Sequence, residues 1–492
     1  MTPSTDRDRF VDLVRVAAIV VVVVGHWATS TIVWEPGYVA SVNALAEIPA
    51  TRLVTWVVQV MPLVFFAGGF ANAVSLARAG TALGYLQTRM IRLLTPTAVF
   101  LGIWLVLGMV IEITDPTGPG KVRAAETAAL PLWFLGIYVV AVGAAPLMLR
   151  AHRRFGWWVP GVLAAGVLIV DVVSIGFGLE GVGGLNYALV WLGIHQMGFF
   201  YADGRLRVSP AAGAAAAGAG LAALVVLTVA AGYPVSLVGV PGEPRSNAQP
   251  PSLAMVAGAV WLVGLALWAR PALSRWLSGR AWPVVSRAHG FLLTLYLWHV
   301  TALMVTAGVW HGAGWPEPPI GSGSWWALRI PWVAAGAVPL AAVAWVMGRF
   351  EIHPQSRATA AAGAAGVGVA LGVFSVAVAL LGFGETGFLP LAPVEGEAVL
   401  MFDFNPVQNV VHLVLGATLL AVAGRPVGRW AAPVAGGAVF LALGSAYPAG
   451  WVSRLGMNDA GAIAHAAVGV LALLGVAAAA LSRRRPGRPP AA

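Results

Sequence analysis

The sequence predicts an all-α, polytopic membrane protein of about fourteen transmembrane helices, with both termini cytoplasmic. Three observations carry this. The 492 residues are 59% hydrophobic and only 10% charged, with a mean hydropathy of +0.83, whereas soluble domains carry about 25% charged residues. Fourteen apolar segments approach spanning length. Placing the N-terminus inside puts 23 of the 29 Lys and Arg in inside segments and 6 in outside ones, which is the asymmetry that orients membrane helices. One missed helix would scramble that alternation, so count and orientation support each other. The net charge of +10 then reads as arginine in cytoplasmic loops of a multi-pass cytoplasmic-membrane protein rather than as a nucleic-acid surface. With no cysteine, a disulfide framework, thiol chemistry and a thiolate metal site have no residues to use.

The first ten segments fall at about 13–34, 53–77, 94–112, 132–150, 157–176, 185–203, 212–232, 253–269, 289–309 and 328–347. The first is followed by Trp34, Glu35 and Pro36 rather than by a small-residue cleavage site, so it is expected to stay as a helix. Inside loops are short. The outside loops, including 35–52, 113–131, 233–252 and 310–327, are longer and rich in Gly, Pro and Trp, a composition that can shape a site on the outer face. A charged joint, Arg349 to Arg357, separates residues 1–350 from four more segments at about 362–382, 407–423, 430–447 and 460–481. Residues 358–481 therefore read as a second, four-helix membrane module, rich in the Ala and Gly that allow close packing in lipid. It holds a weak internal echo, His412-x-x-x-Gly416 and His465-x-x-x-Gly469. Residues 482–492 are basic and Pro-rich, the composition of a disordered tail.

The chemistry concentrates on the first segment. Arg7, Asp8, Arg9, Asp12 and Arg15 crowd its start, Val16 to Gly25 carries no polar side chain, and the run ends on His26. Arg15 and His26 are eleven residues apart, close to three full turns at about 100° per residue, so they share a helix face. The rise of roughly 16 Å is about half a bilayer core. A histidine at mid-depth is costly and suggests function, and neutral imidazole suits proton transfer near neutral pH. Later spans hold further polar groups: His195-Gln196, His299 within YLWHV, and Asp171, which could face a polar cavity or a neighbour's hydroxyl. Arg89 and Arg92, three apart, share a face on the same side as Arg15. His299 lines the same cavity as His26 or caps a packing network. His152, His289, His311 and His353 sit at loops or membrane edges and are given no role. No metal is expected, since no His-x-x-x-His or His–carboxylate grouping shares a helix face. There is also no phosphate-binding glycine loop and no dinucleotide fingerprint.

These residues carry a resemblance. Arg15-x10-His26 preceded by Asp12, MPLVFFAGGF at Met61–Phe70, Arg89-x-x-Arg92-Leu93-x-x-Pro96, PLWFL at Pro131–Leu135 and LYLWH at Leu295–His299 together resemble the membrane acyltransferase-3 family. The resemblance covers about residues 6–350, with five short motifs in the family's order. Two stretches, Trp191–Gly204 and Tyr233–Ser252, resemble an actinobacterial sub-group. Phe402–Gly416 resembles small four-helix actinobacterial membrane proteins with an Asn-x-x-His-x-x-x-Gly signature. Where many relatives carry an extracellular hydrolase-like domain, this chain carries a membrane unit.

The resemblance implies transfer of an acyl group, acetyl or another short chain, from cytoplasmic acyl-CoA to a hydroxyl of a glycan, lipid-linked sugar or secondary metabolite. His26 would be the base or a covalent acyl relay. Arg15, Arg89 and Arg92 would meet the CoA phosphates or pantetheine. Asp12 is expected to pair with and orient Arg15. His299, His195, Trp133 and, on the outer loop, Ser246 and Asn247 are candidate acceptor contacts; the loop also reads as a rigid proline-shaped connector. The alternative is a secondary transporter using mid-membrane His and Asp as a proton relay. Against it, no inverted repeat and no pair of broken helices is visible. The four-helix module is read as an interaction or regulatory unit without chemistry.

Overall fold

A computed structural model describes residues 7–35, 38–114, 127–351, 364–388, 397–399, 402–423, 428–445 and 458–483. Each of the fourteen apolar segments forms a helix: α1 Arg9–Thr29, α2 Met61–Ala79, α3 Ala82–Thr114, α4 Pro131–Phe155, α5 Trp158–Asp171, α6 Asn186–Ala202, α7 Pro210–Val229, α8 Leu253–Trp276, α9 Leu292–Gly312, α10 Gly323–Met347, α11 Ala364–Thr386, α12 Pro406–Ala423, α13 Gly428–Ser445 and α14 Asp459–Arg483. Among the described residues, eleven helical stretches are long and apolar enough to cross a membrane. The expected all-α, multi-pass membrane architecture holds. His353 and the tail 484–492 lie outside the described residues.

Two boundaries differ from the hydropathy reading. The first apolar run is not helical to residue 34. The helix ends at Thr29, and Ser30–Glu35 forms strand β1, antiparallel to β2 (Tyr38–Asn43) in register Ser30↔Asn43 to Glu35↔Tyr38. The run Ser-Thr-Ile-Val is β-branched from its second residue, which favours a strand once the chain leaves the bundle. In the other direction, α3 starts twelve residues before its apolar stretch and runs for 33 residues, about 50 Å. That exceeds a bilayer core of about 30 Å, so Arg89 and Arg92 ride on a helical extension instead of a loop.

Small residues set the closest crossings, as expected where lipid supplies no hydrophobic drive between helices. At the α2–α6 crossing, a Cβ added to Gly69 or Gly198 would run into the opposing backbone, at His195 and Phe66 respectively. Gly198→Ala is therefore expected to destabilise the bundle by about 1–3 kcal/mol or more, since backbone on both sides leaves little room to relax. A thermal melt of the detergent-solubilised protein measures this; an unchanged midpoint would contradict the close crossing.

Buried polar groups tie loops to the frame. Asp171 takes the neighbour's-hydroxyl outcome: it accepts from Tyr233 Oη at 2.8 Å, Asn186 Nδ2 at 2.7 Å and the Leu253 amide at 2.8 Å. It thus pins both ends of the loop between α7 and α8.

The four C-terminal helices are not a detached body. α11 lies against α4, where a Cβ on Gly136 would meet Leu381 Cγ at 2.8 Å and one on Gly384 would meet the Trp133 amide nitrogen at 2.6 Å. Val369, Val373, Val376, Leu380, Phe383 and Phe388 belong to the same buried core as α1–α10. The echoed histidines meet, His412 Nε2 lying 2.9 Å from His465 Nε2. The echoed glycines sit at crossings: Gly416 faces Val376 on α11, and Gly469 faces Leu441 on α13.

Candidate active site

Arg15 and His26 stand on one face of α1, as the spacing predicts, at two levels of the helix. At the inner level Arg15 joins Arg89 and Arg92 of α3, Tyr138 of α4, His289 and Glu351 around a cavity of about 50 Å³. Arg89 Nε and Nη2 are buried without a hydrogen-bond partner. Three guanidiniums against one carboxylate leave this cavity suited to an anion.

Tyr138, His289 and Glu351 were not foreseen. Glu351, read from sequence as part of a charged joint, accepts from the Leu293 and Thr294 amides, each at 3.2 Å, and from Thr294 Oγ1 at 2.9 Å. It thereby closes the free N–H groups at the start of α9. Burial pushes its carboxyl above the ordinary range, with the Leu293 and Thr294 bonds and Arg92 opposing. His289, assigned no role from sequence, ends the short helix Ala281–His289. Its Nε2 lies 3.0 Å from Arg15 Nη1 and 3.1 Å from Asp12 Oδ1. The expected Asp12–Arg15 pair is therefore a correction: Asp12 binds Arg7 Nε at 2.5 Å and His289, and it reaches Arg15 only through that imidazole. The reason is the third helix end at this level, which the spacing on α1 cannot reveal.

Arg15 can only donate to His289 Nε2, whereas Asp12 can only accept from it. A neutral imidazole satisfies one of them at a time. Burial holds His289 below the usual histidine range, reinforced by Arg15 and opposed by Asp12. A depressed histidine means that the unfolded chain takes the proton first on acidification, so stability falls as pH drops below about 6.5. Glu351, raised by burial, acts in the opposite sense. The expected result is a melting midpoint whose loss between pH 7.5 and 5.5 is smaller in His289→Asn than in the wild type. Equal losses would remove His289 from the account.

At the middle level, the His26 and His299 rings meet edge-to-face, centroids 5.1 Å apart at 75°. His299 Nδ1 donates to the Tyr296 carbonyl at 2.5 Å. Its Nε2 is consequently a lone pair in the neutral ring, and it is buried without a partner. His26 is half-buried. The His299 backbone carbonyl serves the packing network, and neither of the two cavities is lined by His299. Trp27 Nε1 donates to the His299 carbonyl at 2.8 Å, and Trp332 Nε1 donates to the Trp27 carbonyl at 2.9 Å. Tyr296 Oη donates to the Pro131 carbonyl at 2.8 Å. These bonds lock α1, α9, α10 and α4 around the two imidazoles.

The matched family is the one described as an acyltransferase domain, and its model covers residues 8–349. The chain belongs to the membrane acyltransferase-3 family. No curated protein and no solved structure matches it. The matched span ends two residues before Glu351, so the carboxylate that caps α9 lies just outside it.

The remaining predicted residues of this membrane acyltransferase lie elsewhere. His195, fully buried on α6, has Nε2 2.9 Å from Asn72 Nδ2. Its neighbour Gln196 donates from Nε2 to His152 Nδ1 at 3.0 Å, and His152 Nε2 donates to Asp203 Oδ2 at 2.9 Å. His152, given no role, thus centres a buried structural chain. Trp133 sits where α4 meets α11 at Gly384. On the loop, Asn247 is fully buried and donates from Nδ2 to the Pro234 and Ser236 carbonyls at 2.6 and 2.9 Å. It also accepts from Ser252 Oγ at 2.7 Å. Ser246 Oγ accepts from the Ala248 and Gln249 amides at 3.0 and 3.1 Å. Both residues shape the loop, which is the rigid-connector outcome. Among the described residues no group of three or more His, Asp or Glu is arranged to hold a metal.

Proposed function

We propose that this acyltransferase takes a short acyl group, with acetyl the expected one, from acyl-CoA at the cytoplasmic face of the cytoplasmic membrane. It places that group on a hydroxyl of a glycan, lipid-linked sugar or secondary metabolite. The observation that supports this best is the stacking of levels along α1: a cationic cavity at Arg15, Arg89 and Arg92, then the His26–His299 pair. A cavity of about 50 Å³ encloses one small group of the donor, so the arginines would meet phosphate or pantetheine at its mouth.

In the base form of the reaction, His26 takes the acceptor's hydroxyl proton as the oxygen attacks the thioester carbonyl. The tetrahedral intermediate collapses, the C–S bond breaks, and CoA thiolate leaves with the proton held on His26. In the relay form, imidazole nitrogen attacks the thioester carbonyl, the C–S bond breaks and CoA thiolate leaves; the acceptor oxygen then attacks the acyl carbon, the C–N bond breaks, and the hydroxyl proton passes to the freed imidazole nitrogen. In both, the buried lone pair of His299 beside His26 favours the imidazole that carries positive charge.

The test is mass spectrometry of purified wild type and His26→Ala after incubation with isotope-labelled acetyl-CoA, with CoA release and transfer to cell-envelope material followed together. Turnover by wild type alone supports the reading. If neither protein binds or turns over any short acyl-CoA, the donor assignment falls. Label retained on His26 would select the relay.

A further inference from the structure

On the far side of the histidine pair from the arginine cavity lies a second, larger pocket. It holds about 370 Å³ and is walled by Trp34, Trp310, Trp325 and Trp332, with Arg329 among them. We propose that this pocket is the acceptor site and that its ligand is an anionic sugar, with the ring against the Trp34 indole and the carboxylate or phosphate on Arg329. The proposal rests on the acyltransferase reading.

Position is the first argument. Trp332 forms part of the pocket wall and donates to the Trp27 carbonyl, one residue from His26. Ala307, also on the wall, follows His299 on the same helix by eight residues, about 12 Å of rise. A ligand resting here lies about two helical turns from His299, on the side opposite the donor cavity.

Charge is the second. Arg329 is half-buried, its guanidinium carbon 4.4 Å from the Trp325 ring and 5.4 Å from the Trp332 ring. Nη1 donates to the Ser30 carbonyl at 3.1 Å, and Nε is buried with no partner. No carboxylate among the described residues forms an ion pair with it. Among the described residues, a cation so placed has no counter-charge, while a guanidinium fork against indoles is pre-organised for a planar or tetrahedral oxyanion. Glu317 is the one acid on the wall among the described residues. It sits at the rim, its carboxylate 3.1 Å from His311 Nδ1, and both side chains are more than a third exposed. It therefore leaves the inner, Arg329 end positive.

Shape is the third. A volume of about 370 Å³ falls in the range of small-molecule sites, about 300–1,000 Å³. Indole faces carry negative charge density and attract the polarised C–H bonds of a pyranose face. Half-buried Trp34 offers such a face, while Trp310, Trp325 and Trp332 are buried and Trp325 carries Arg329.

The experiment is isothermal titration of the full-length protein in nanodiscs with glucuronate, glucose 1-phosphate and neutral methyl glucoside. The expected result is at least tenfold tighter binding of an anionic sugar than of the glucoside, a margin lost in Arg329→Gln and narrowed in Arg329→Lys, which keeps charge but not the fork. Preference for glucuronate assigns a carboxylate sugar; preference for glucose 1-phosphate assigns a phosphate-linked one. Equal binding of all three, or anion binding unchanged in Arg329→Gln, overturns the proposal. If Arg329→Gln does not fold, Arg329→Lys decides on the same criterion. His26-dependent CoA release is measured alongside. If it persists while no sugar anion binds, only the acceptor assignment falls. If neither wild type nor His26→Ala releases CoA, the acyltransferase reading falls, whatever the sugars do.

Discussion

His26→Ala is expected to lower acyl transfer by 10²- to 10⁴-fold, about the contribution of a positioned general base, while the protein still folds. The His26 ring is half-buried and has no hydrogen bond to the described residues; the nearby frame bonds run through Trp27, Trp332 and the His299 backbone. The melting midpoint should therefore move little. His299→Gln gives the contrast. It keeps the backbone carbonyl that receives Trp27, so the frame survives, but it removes the buried, unpartnered Nε2 of the ring packed against His26. Its effect should be smaller than that of His26→Ala and should fall on kcat more than on KM. CoA release measured against labelled product separates the two variants. Full activity in His26→Ala would mean that the imidazole neither takes the proton nor carries the acyl group.

Removing residues 358–492 should cost stability before it costs chemistry. α11 presses Val373, Val376, Leu380 and Phe383 into the same core as α4, and Phe388 stacks on Trp104 with centroids 6.1 Å apart. In lipid those contacts count as packing and not as hydrophobic burial. A loss of even about 3 kcal/mol would lower the midpoint by roughly 3–4 °C for a chain of this length. A less stable truncated protein that still releases CoA in a His26-dependent way supports a supporting role for the module. Loss of all turnover in a truncated protein that remains monodisperse would place part of the chemistry there.

The class of the protein was legible from the chain alone. Hydropathy and arginine asymmetry are one-dimensional properties, because a bilayer sorts residues by depth and depth follows sequence position along a helix. For the same reason Arg15 and His26 could be placed on one face and at two levels, and the short motifs could be recognised in order. Boundaries failed where depth stopped governing. β-Branched Thr31, Ile32 and Val33 leave the bundle as a strand, and α3 continues past its apolar stretch to carry Arg89 and Arg92.

Which residues meet across helices was decided by tertiary structure. His289 and Glu351 enter the arginine cavity from distant segments. Asp12 turns to Arg7 and His289 instead of Arg15. His195 is drawn away to Asn72. The Trp-walled pocket draws on the strand after α1, the loop after α9 and the start of α10. Lateral contacts depend on the rotation and neighbours of each helix, and those are set by small residues such as Gly69, Gly198 and Gly384 finding a matching backbone, a match that no single helix encodes.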